Sequence, residues 1–170
     1  NSMQSMLDEF LAFTKTESSE EASLIDPVKF IKRIVKRNQR IFEKIELIIQ
    51  NNQLKFEKLP LRKNIFERAI QNIIDNAINF GSRIVVKVER NKKYLLIKLE
   101  DNGPGIEPSD RATALKPFTR LDQSRNQNNH SGVGLGLSIA LDTVRSHGGN
   151  LTLTKSNELG GLQVRIVIPL

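Results

Sequence analysis

The sequence predicts a two-layer α/β sandwich, in which a mixed, mostly antiparallel sheet of about five strands packs against three helices. Three stretches with apolar residues at helical spacing indicate the helices. Runs of alternating apolar residues indicate the sheet, and two pairs of these runs are joined by short turn sequences that predict hairpins. Along the chain the order is helix, strands, helix, hairpin, helix, hairpin.

Composition narrows the class of protein. The chain has 170 residues, which suits one domain with a short appendage, and its 38% hydrophobic content can build a core. The formal net charge of +7 permits nucleotides, acidic partner surfaces or nucleic acid as ligands and chooses none of them. There is no cysteine, which excludes disulfides and thiolate metal sites. No run of 18 apolar residues predicts a membrane span, and no signal-peptide pattern opens the chain.

The first residues form a segment of their own. Residues 1–16 predict the end of a helix with one apolar face, residues 17–21 a polar, acidic linker, and residues 22–170 the main domain. Because the chain begins in mid-pattern, we expect a fragment of a longer protein. The apolar face comprises Met3, Met6, Leu7, Phe10 and Phe13.

The first helix of the main domain begins at Asp26, the expected N-cap, with Pro27 at the first helical position. One face is basic, which is compatible with nucleic-acid binding or with a solvated surface. We favour the solvated surface and no nucleic-acid partner, because no aromatic residues interleave with the charges. The basic residues are Lys29, Lys32, Arg33, Lys36, Arg37 and Arg40.

Short strands and turns fill the stretches between the helices. Residues 109–116 predict one further short helix. Asn51-Asn52 predicts a turn between two of the strands, and Asn91-Lys92-Lys93 and residues 158–161 predict hairpin turns. The expected strands are residues 22–25, 45–49, 54–56, 84–89, 94–100, 150–154 and 162–168.

The second helix, predicted from Pro60 to Phe80 and closed by Gly81, has an unusual polar face. Asparagine is a poor residue in a helix interior and costs a few tenths of a kcal/mol at each position. A stack of asparagines therefore favours a functional role over a solvated stripe, although both interpretations stay open. The polar face comprises Arg68, Asn72, Asn76 and Asn79.

A carboxylate followed by two glycines ends the strand of residues 94–100, in the sequence Asp101-Asn102-Gly103-Pro104-Gly105-Ile106. Glycine lets a ligand approach the main chain closely, and a buried Asp101 could accept a hydrogen bond from an exocyclic amine. Such a charge-assisted bond contributes about 1.5–3 kcal/mol. The alternative is an ordinary tight turn, for which these residue types are also typical.

A polar loop from Thr119 to Ser131 precedes a second glycine-rich stretch, Gly132-Val133-Gly134-Leu135-Gly136-Leu137, and the third helix. A loop of this length predicts a functional lid or disorder, with Phe118 against the core before it. Glycines at a helix start favour phosphate binding. The spacing and context match neither a dinucleotide fingerprint, a Walker A loop, nor the glycine loop of eukaryotic-type protein kinases.

Together, these motifs resemble the catalytic, ATP-binding domain of two-component sensor histidine kinases, within the superfamily of gyrase B, Hsp90 and MutL. Residues 72–77 resemble the N box, residues 101–106 the first glycine box, residues 117–120 the F box, and residues 132–137 the second glycine box. The Asn-Gly-Pro-Gly-Ile and Pro-Phe-Thr-Arg sequences resemble EnvZ-like osmosensing kinases in particular. Residues 1–16 resemble the end of the second helix of the family's dimerisation hairpin.

The resemblance implies the Bergerat (GHKL) fold with ATP and Mg²⁺ between the helices and an ATP lid. Asp101 would bind the adenine amino group, Asn76 the Mg²⁺ ion, and Asn72 the phosphates. The lid glycines would border the triphosphate, and Arg120 is a candidate phosphate contact. The implied ATP-binding residues are Asn72, Asn76, Phe80, Asp101, Gly103, Gly105, Ile106, Phe118, Arg120, Gly132, Val133, Gly134, Leu135, Gly136 and Leu137.

The sequence departs from the family at several positions. Asn79 stands where many relatives carry Lys or Arg, and Val133 replaces the usual Thr or Ser. The phosphoacceptor histidine of the hairpin is absent, so no residue is assigned as catalytic. The two histidines, His130 and His147, are predicted to be surface or capping residues, since neither has a catalytic partner nearby in sequence.

The predicted function is ATP-Mg²⁺ binding and phosphoryl transfer to a histidine on a dimerisation domain outside the fragment. The implied partners are ADP as well as ATP, that dimerisation domain, and a response regulator. The parent protein is expected to be a homodimer in the bacterial inner membrane, with this domain cytoplasmic. Alternatives are another ATPase of the superfamily, for which Glu67 is the nearest general base but one turn too early, or a non-catalytic module that binds nucleotide or a partner.

Overall fold

A computed structural model describes residues 11, 20–50, 58–119, 121 and 134–170. The helices are α1 (Pro27–Gln39), α2 (Lys63–Phe80), the short α3 (Arg111–Ala114) and α4 (Gly136–Ser146), with a 3₁₀ turn at Pro108–Asp110. The strands are β1 (Ser23–Ile25), β2 (Ile45–Gln50), β3 (Leu59–Leu61), β4 (Ile84–Arg90), β5 (Tyr94–Asp101), β6 (Asn150–Lys155) and β7 (Leu162–Pro169).

The main sheet has the strand order β2-β4-β5-β7-β6. Strand β2 runs parallel to β4, and all the other neighbours are antiparallel. The inward side chains of the sheet share one core with the apolar faces of α1, α2 and α4. The predicted two-layer sandwich with a mixed, mostly antiparallel sheet is therefore confirmed. The apolar face of the sheet and the apolar faces of the helices pack against each other between the two layers.

Helix α2 occupies the centre of the helical layer, packed against α4 and β5. Its buried arc is completed near its start by Phe66, whose ring lies 6.0 Å from that of Phe30 and 5.3 Å from that of His147. The buried residues of the arc are Ile65, Phe66, Ala69, Ile70, Ile73, Ile74 and Ala77.

The predicted start of α2 at Pro60 is wrong. Residues Leu59–Leu61 form β3, which pairs antiparallel with β1, and the helix begins only at Lys63. Pairing with β1 prevails over the tendency of Pro60 to begin a helix, because a proline is tolerated in so short an edge strand. Asp26 caps α1 as predicted, accepting hydrogen bonds from the backbone N–H groups of Val28 and Lys29.

Several other predictions meet the structure only in part. The hairpins β4–β5 and β6–β7 are confirmed. Strand β2 pairs with β4, whereas the strand predicted at residues 54–56 and its turn lie outside the described residues. The helix predicted for residues 1–16 also lies outside them, apart from residue 11. No helix in the described part of the chain is both long and apolar enough to cross a membrane.

Candidate nucleotide site

Asp101, the last residue of β5, lies at the bottom of the candidate site and is 4% exposed. Its Oδ1 atom accepts hydrogen bonds from the backbone N–H of Gly103 at 2.8 Å and of Leu162 at 3.2 Å. Among the described residues no donor is seen on Oδ2. One oxygen therefore fixes the side chain, while the other is left for a ligand that donates a hydrogen bond.

The environment of Asp101 changes its acidity. Burial raises the pKa of the carboxyl above its ordinary value, and the N–H groups of Gly103 and Leu162 partly oppose that shift by stabilising the charged form. Burial of a carboxylate is unfavourable because the charged form loses its hydration. Such groups are typical of functional sites. Asp101 is thus buried, and the cradle that holds it includes the β6–β7 hairpin, whose contact with Asp101 the sequence did not indicate.

The close approach of that hairpin depends on Gly161. A Cβ atom at this position would lie 2.4 Å from both the backbone oxygen and Oδ1 of Asp101. The Gly161 N–H donates to the Asp101 carbonyl at 3.1 Å. Gly105 packs against Gly161, since a Cβ on Gly105 would lie 3.5 Å from the Gly161 carbonyl group. We expect any side chain at position 161 to displace Asp101.

The loop between β5 and α3 is held against the end of α2. Asn102 accepts hydrogen bonds from the backbone N–H groups of Ser82 at 2.8 Å and Arg83 at 2.9 Å, and its amide donates to the Ser82 hydroxyl. A Cβ on Gly103 would lie only 2.6 Å from the carbonyl oxygen of Phe80. The last turn of α2 and the first glycine box are therefore one rigid unit.

The asparagine face of α2 lies beside the start of α4. The Nδ2 atom of Asn72 is buried and has no hydrogen-bond partner among the residues that the structure describes. The Cα of Gly136 abuts this side chain, since a Cβ there would lie 3.6 Å from the Asn72 Cβ. Asn76, one turn on, is half-buried, and Asn79 is exposed. A buried amide donor without a partner, next to a helix N-terminus, suits a phosphate oxygen.

The F box meets the second glycine box through backbone contact. Gly134 has φ of 77°, and a Cβ there would lie 2.6 Å from the Thr119 carbonyl oxygen. Phe118, by contrast, was expected against the core, and this expectation is wrong, because its side chain is 56% exposed. Its φ of 61° is rare for a non-glycine residue and turns the ring away from the core.

The remaining predicted site residues divide into three groups. Phe80 is 42% exposed at the end of α2, beside the first glycine box. Ile106 and Leu137 pack partly against the core, and Leu135 is buried with Ile139. Arg120, Gly132, Val133 and most of the predicted lid lie outside the described residues.

These contacts form two clusters at opposite ends of the second half of α2, and we call the space between them the candidate cleft. The Asp101 end adjoins Phe80, and the Asn72 end adjoins Gly136. Eight residues of helix separate Asn72 from Phe80, which corresponds to about 12 Å at 1.5 Å per residue. This span is comparable with the length of an extended nucleoside triphosphate.

The family model described as histidine kinase-, DNA gyrase B- and HSP90-like ATPase matches residues 62–170. The chain belongs to this family. The sensor histidine kinase CpxA of Escherichia coli K12 is 35% identical over 108 residues, which are 63% of this chain and 23% of CpxA. The chain therefore corresponds to less than a quarter of that relative.

Solved structures of histidine kinases share the fold. The mycobacterial sensor histidine kinase MprB has a TM-score of 0.70 at 25% identity, covering 87% of this chain and 97% of that one. The histidine kinase domain of the E. coli osmosensor EnvZ has a TM-score of 0.64 at 28% identity, covering 89% of each chain. The resemblance to the ATP-binding domain of sensor histidine kinases is thereby confirmed. The EnvZ kinase domain is among the structures that share the fold.

Within this ATPase domain His147 is a structural residue, as predicted. Its Nε2 accepts a hydrogen bond from the backbone N–H of Arg62 at 3.0 Å, and its Nδ1 lies 2.7 Å from the Thr143 carbonyl oxygen. A carbonyl can only accept, so Nδ1 carries the proton and the ring is neutral. Both ring nitrogens are occupied in joining the end of α4 to the start of α2.

Sequence reasoning missed Gly161 and Leu162, which complete the cradle of Asp101, and Arg111, whose Nε donates to the Ile106 carbonyl at 3.1 Å. The hairpin itself was predicted, but its Gly160-Gly161 pair also fits an ordinary turn and gave no signal of the contact with Asp101. These residues contact the Asp101 loop through the fold, so no motif spacing could indicate them.

Proposed function

We propose that the chain binds ATP with Mg²⁺ and transfers the γ-phosphoryl group to a histidine on a dimerisation domain. The observation that carries the proposal is a pair of polar groups, the Asp101 oxygen that has no described donor and the unpartnered amide of Asn72, at opposite ends of a helix segment of about 12 Å from Asn72 to Phe80. The carboxylate would accept from the adenine amine, and the amide would donate to a phosphate oxygen. Membership of the ATPase family supports this assignment.

The residues of the cleft fit the metal that the family implies. Asn76 supplies an amide oxygen, a hard ligand that suits Mg²⁺ alongside phosphate oxygens. It is half-buried on the same face as Asn72. When bound, Mg²⁺ would neutralise charge on the phosphates. The protein itself would contribute orientation, through the rigid unit of α2 with the first glycine box, and donors from the start of α4.

The acceptor histidine would come from outside this domain. The sequence has two histidines, and both ring nitrogens of His147 are already engaged. We therefore expect the chain to label a supplied dimerisation hairpin and not His147. The parent protein would be a homodimeric sensor kinase in the inner membrane, with this domain in the cytoplasm and a response regulator as its phosphoryl acceptor.

The other ATPase alternative finds no support in the position of Glu67. A hydrolytic mechanism would need a carboxylate beside the phosphates to activate water. The Glu67 carboxylate instead lies 3.1 Å from Arg33 and 2.5 Å from Arg37, in the contact between α1 and α2. It is neutralised by two cations and precedes Asn72 by more than one turn.

The adenine assignment is tested by Asp101→Asn. Asparagine keeps an acceptor for Gly103 and Leu162 but loses the charge, so ATP affinity should fall by about 10- to 150-fold, and the preference for ATP over GTP should be lost. Calorimetric titrations with both nucleotides measure this. Asp142→Asn makes the same change at an exposed position of α4 and should bind like the wild type. Unchanged ATP affinity in Asp101→Asn would contradict the proposal.

The metal assignment is tested by Asn76→Ala. ATP binding should lose most of its enhancement by Mg²⁺, while circular dichroism stays that of the wild type, because alanine is a better helix former. Asn79→Ala removes the exposed asparagine of the same face and serves as the control. Equal enhancement by Mg²⁺ in Asn76→Ala and the control would refute the role of Asn76.

A further inference from the structure

The N-terminus of α2 is capped by a residue distant in sequence. Its N-cap residue, Arg62, makes no side-chain capping bond, and no acidic residue lies in the first turn. Instead the two carboxylate oxygens of Glu20 accept from the backbone N–H groups of Asn64 at 2.7 Å and Ile65 at 3.1 Å. A carboxylate at this end of a helix also interacts favourably with the helix dipole.

Glu20 belongs to the acidic linker that precedes the ATPase domain. Directly after it, β1 pairs with β3, and β3 leads through Arg62 into α2. The chain therefore enters the domain alongside the first turn of the helix that bears Asn72 and Asn76. The adjacent Glu21 is exposed and makes no described contact, so of the two described linker carboxylates only that of Glu20 caps the helix.

We infer that Glu20 is a positioning residue, which docks the linker onto the helix of the nucleotide site. A local Ser or Asp at the N-cap would satisfy the helix without the linker. Because Glu20 supplies the cap, the helix end is complete only when the linker is docked. A phosphoacceptor domain attached through residues 1–19 would then share one rigid support with the nucleotide. Only this last consequence rests on the proposed function.

Amide hydrogen exchange tests the docking in the 170-residue chain. In Glu20→Ala, exchange at Asn64 and Ile65 should become about fivefold faster, as expected for loss of a capping bond. Glu20→Gln keeps one acceptor oxygen, so one of the two amides should remain protected. Glu21→Ala and Glu21→Gln are the matched controls and should change neither amide. Unaltered exchange in Glu20→Ala would overturn the inference.

A distance measurement separates positioning from simple capping. The sequence has no cysteine, so spin labels can be placed at Ser18→Cys and Lys44→Cys without removing native residues. The distance distribution should be broader when Glu20→Ala is added than when Glu21→Ala is added or when neither is present. The ATP dissociation constant should remain that of the wild type. If Glu20→Ala does not change the distance distribution, Glu20 only caps the helix, and the positioning role is overturned.

Phosphoryl transfer then tests the consequence for the reaction. In the parent chain, transfer to the attached acceptor domain should slow by roughly tenfold or more in Glu20→Ala, while transfer to a hairpin supplied in trans stays unchanged. Equal losses in both assays would contradict positioning. A wild-type chain that labels neither acceptor would contradict the proposed function instead, and the exchange and distance results would still decide the docking.

Discussion

The two halves of α2 differ in how completely their side chains are satisfied. In the first half Phe66 packs between two rings, Glu67 pairs with two arginines, and the end is capped. At the boundary, Gln71 exchanges hydrogen bonds with Asn38 and also bonds Arg37 and Asp75. The second half begins with the unpartnered amide of Asn72 and ends with the half-exposed ring of Phe80.

This difference indicates a division of labour within one helix. Buried polar groups are normally hydrogen-bonded, and exceptions cluster where a ligand completes them. The first half of α2 therefore contributes mainly to the stability of the fold. The second half retains one buried amide, that of Asn72, without a partner in the described part of the chain, and under the proposed function the nucleotide supplies that partner. Substitutions at equivalent residue types in the two halves should separate stability from binding.

The largest contrast is expected between the two phenylalanines. Phe66→Ala removes a ring that is 1% exposed and should lower the free energy of unfolding by about 3–5 kcal/mol. Phe80→Ala removes a ring that is 42% exposed and should cost about 1 kcal/mol or less. Urea unfolding followed by circular dichroism measures both. A cost at Phe80 as large as that at Phe66 would remove the contrast between the halves.

A second contrast should appear between the neighbours Gln71 and Asn72. Gln71→Ala removes the described donor to the buried Oδ1 of Asn38, whose Nδ2 keeps the Ile34 carbonyl, and should cost about 1–3 kcal/mol, with ATP affinity unchanged. Asn72→Ala removes an unsatisfied group, so stability should be unchanged or higher, while ATP affinity falls by about tenfold. Urea unfolding and calorimetry measure the free energy of unfolding and the ATP affinity of each variant. Reversed results, with Gln71 needed for ATP and Asn72 for stability, would contradict the division.

The smallest effect is expected on the pH dependence of stability, through the carboxyl group of Asp101 beside the end of α2. Burial raises the pKa of Asp101 in the folded state above its unfolded value. Its contribution to stability is therefore fully present below the unfolded pKa and is lost as pH rises through the folded pKa. Without nucleotide, the wild type should lose stability relative to Asp101→Asn across that window. Parallel pH profiles of the urea midpoint in the two proteins would contradict this.

Much of this architecture follows from local sequence patterns. Alternation predicted β4, β5 and β7, and the asparagine spacing predicted one polar face on α2, because period alone decides which side chains share a face. Asp101 was predicted at the end of a strand and ends β5, whereas its role in binding the base stays a prediction. These features depend on neighbours within one element, which a sequence displays directly.

The features that sequence analysis missed depend on contacts between distant segments. The Leu162 N–H bonds Asp101 across 61 residues, and Glu20 caps a helix more than 40 residues away. Strand β3 exists because β1 is available to pair with it, which Pro60 alone does not reveal. The exposure of Phe118 follows from its backbone angle, for which a phenylalanine carries no signal.

The contact between Thr119 and Gly134 has a practical consequence for protein engineering. It brings together the two ends of a stretch of 14 residues, from Arg120 to Val133. Doubling the length of a loop whose ends already meet costs only about 0.6 kcal/mol in closure entropy. The position is therefore a favourable host for an inserted reporter domain, whose termini would emerge side by side at the edge of the cleft.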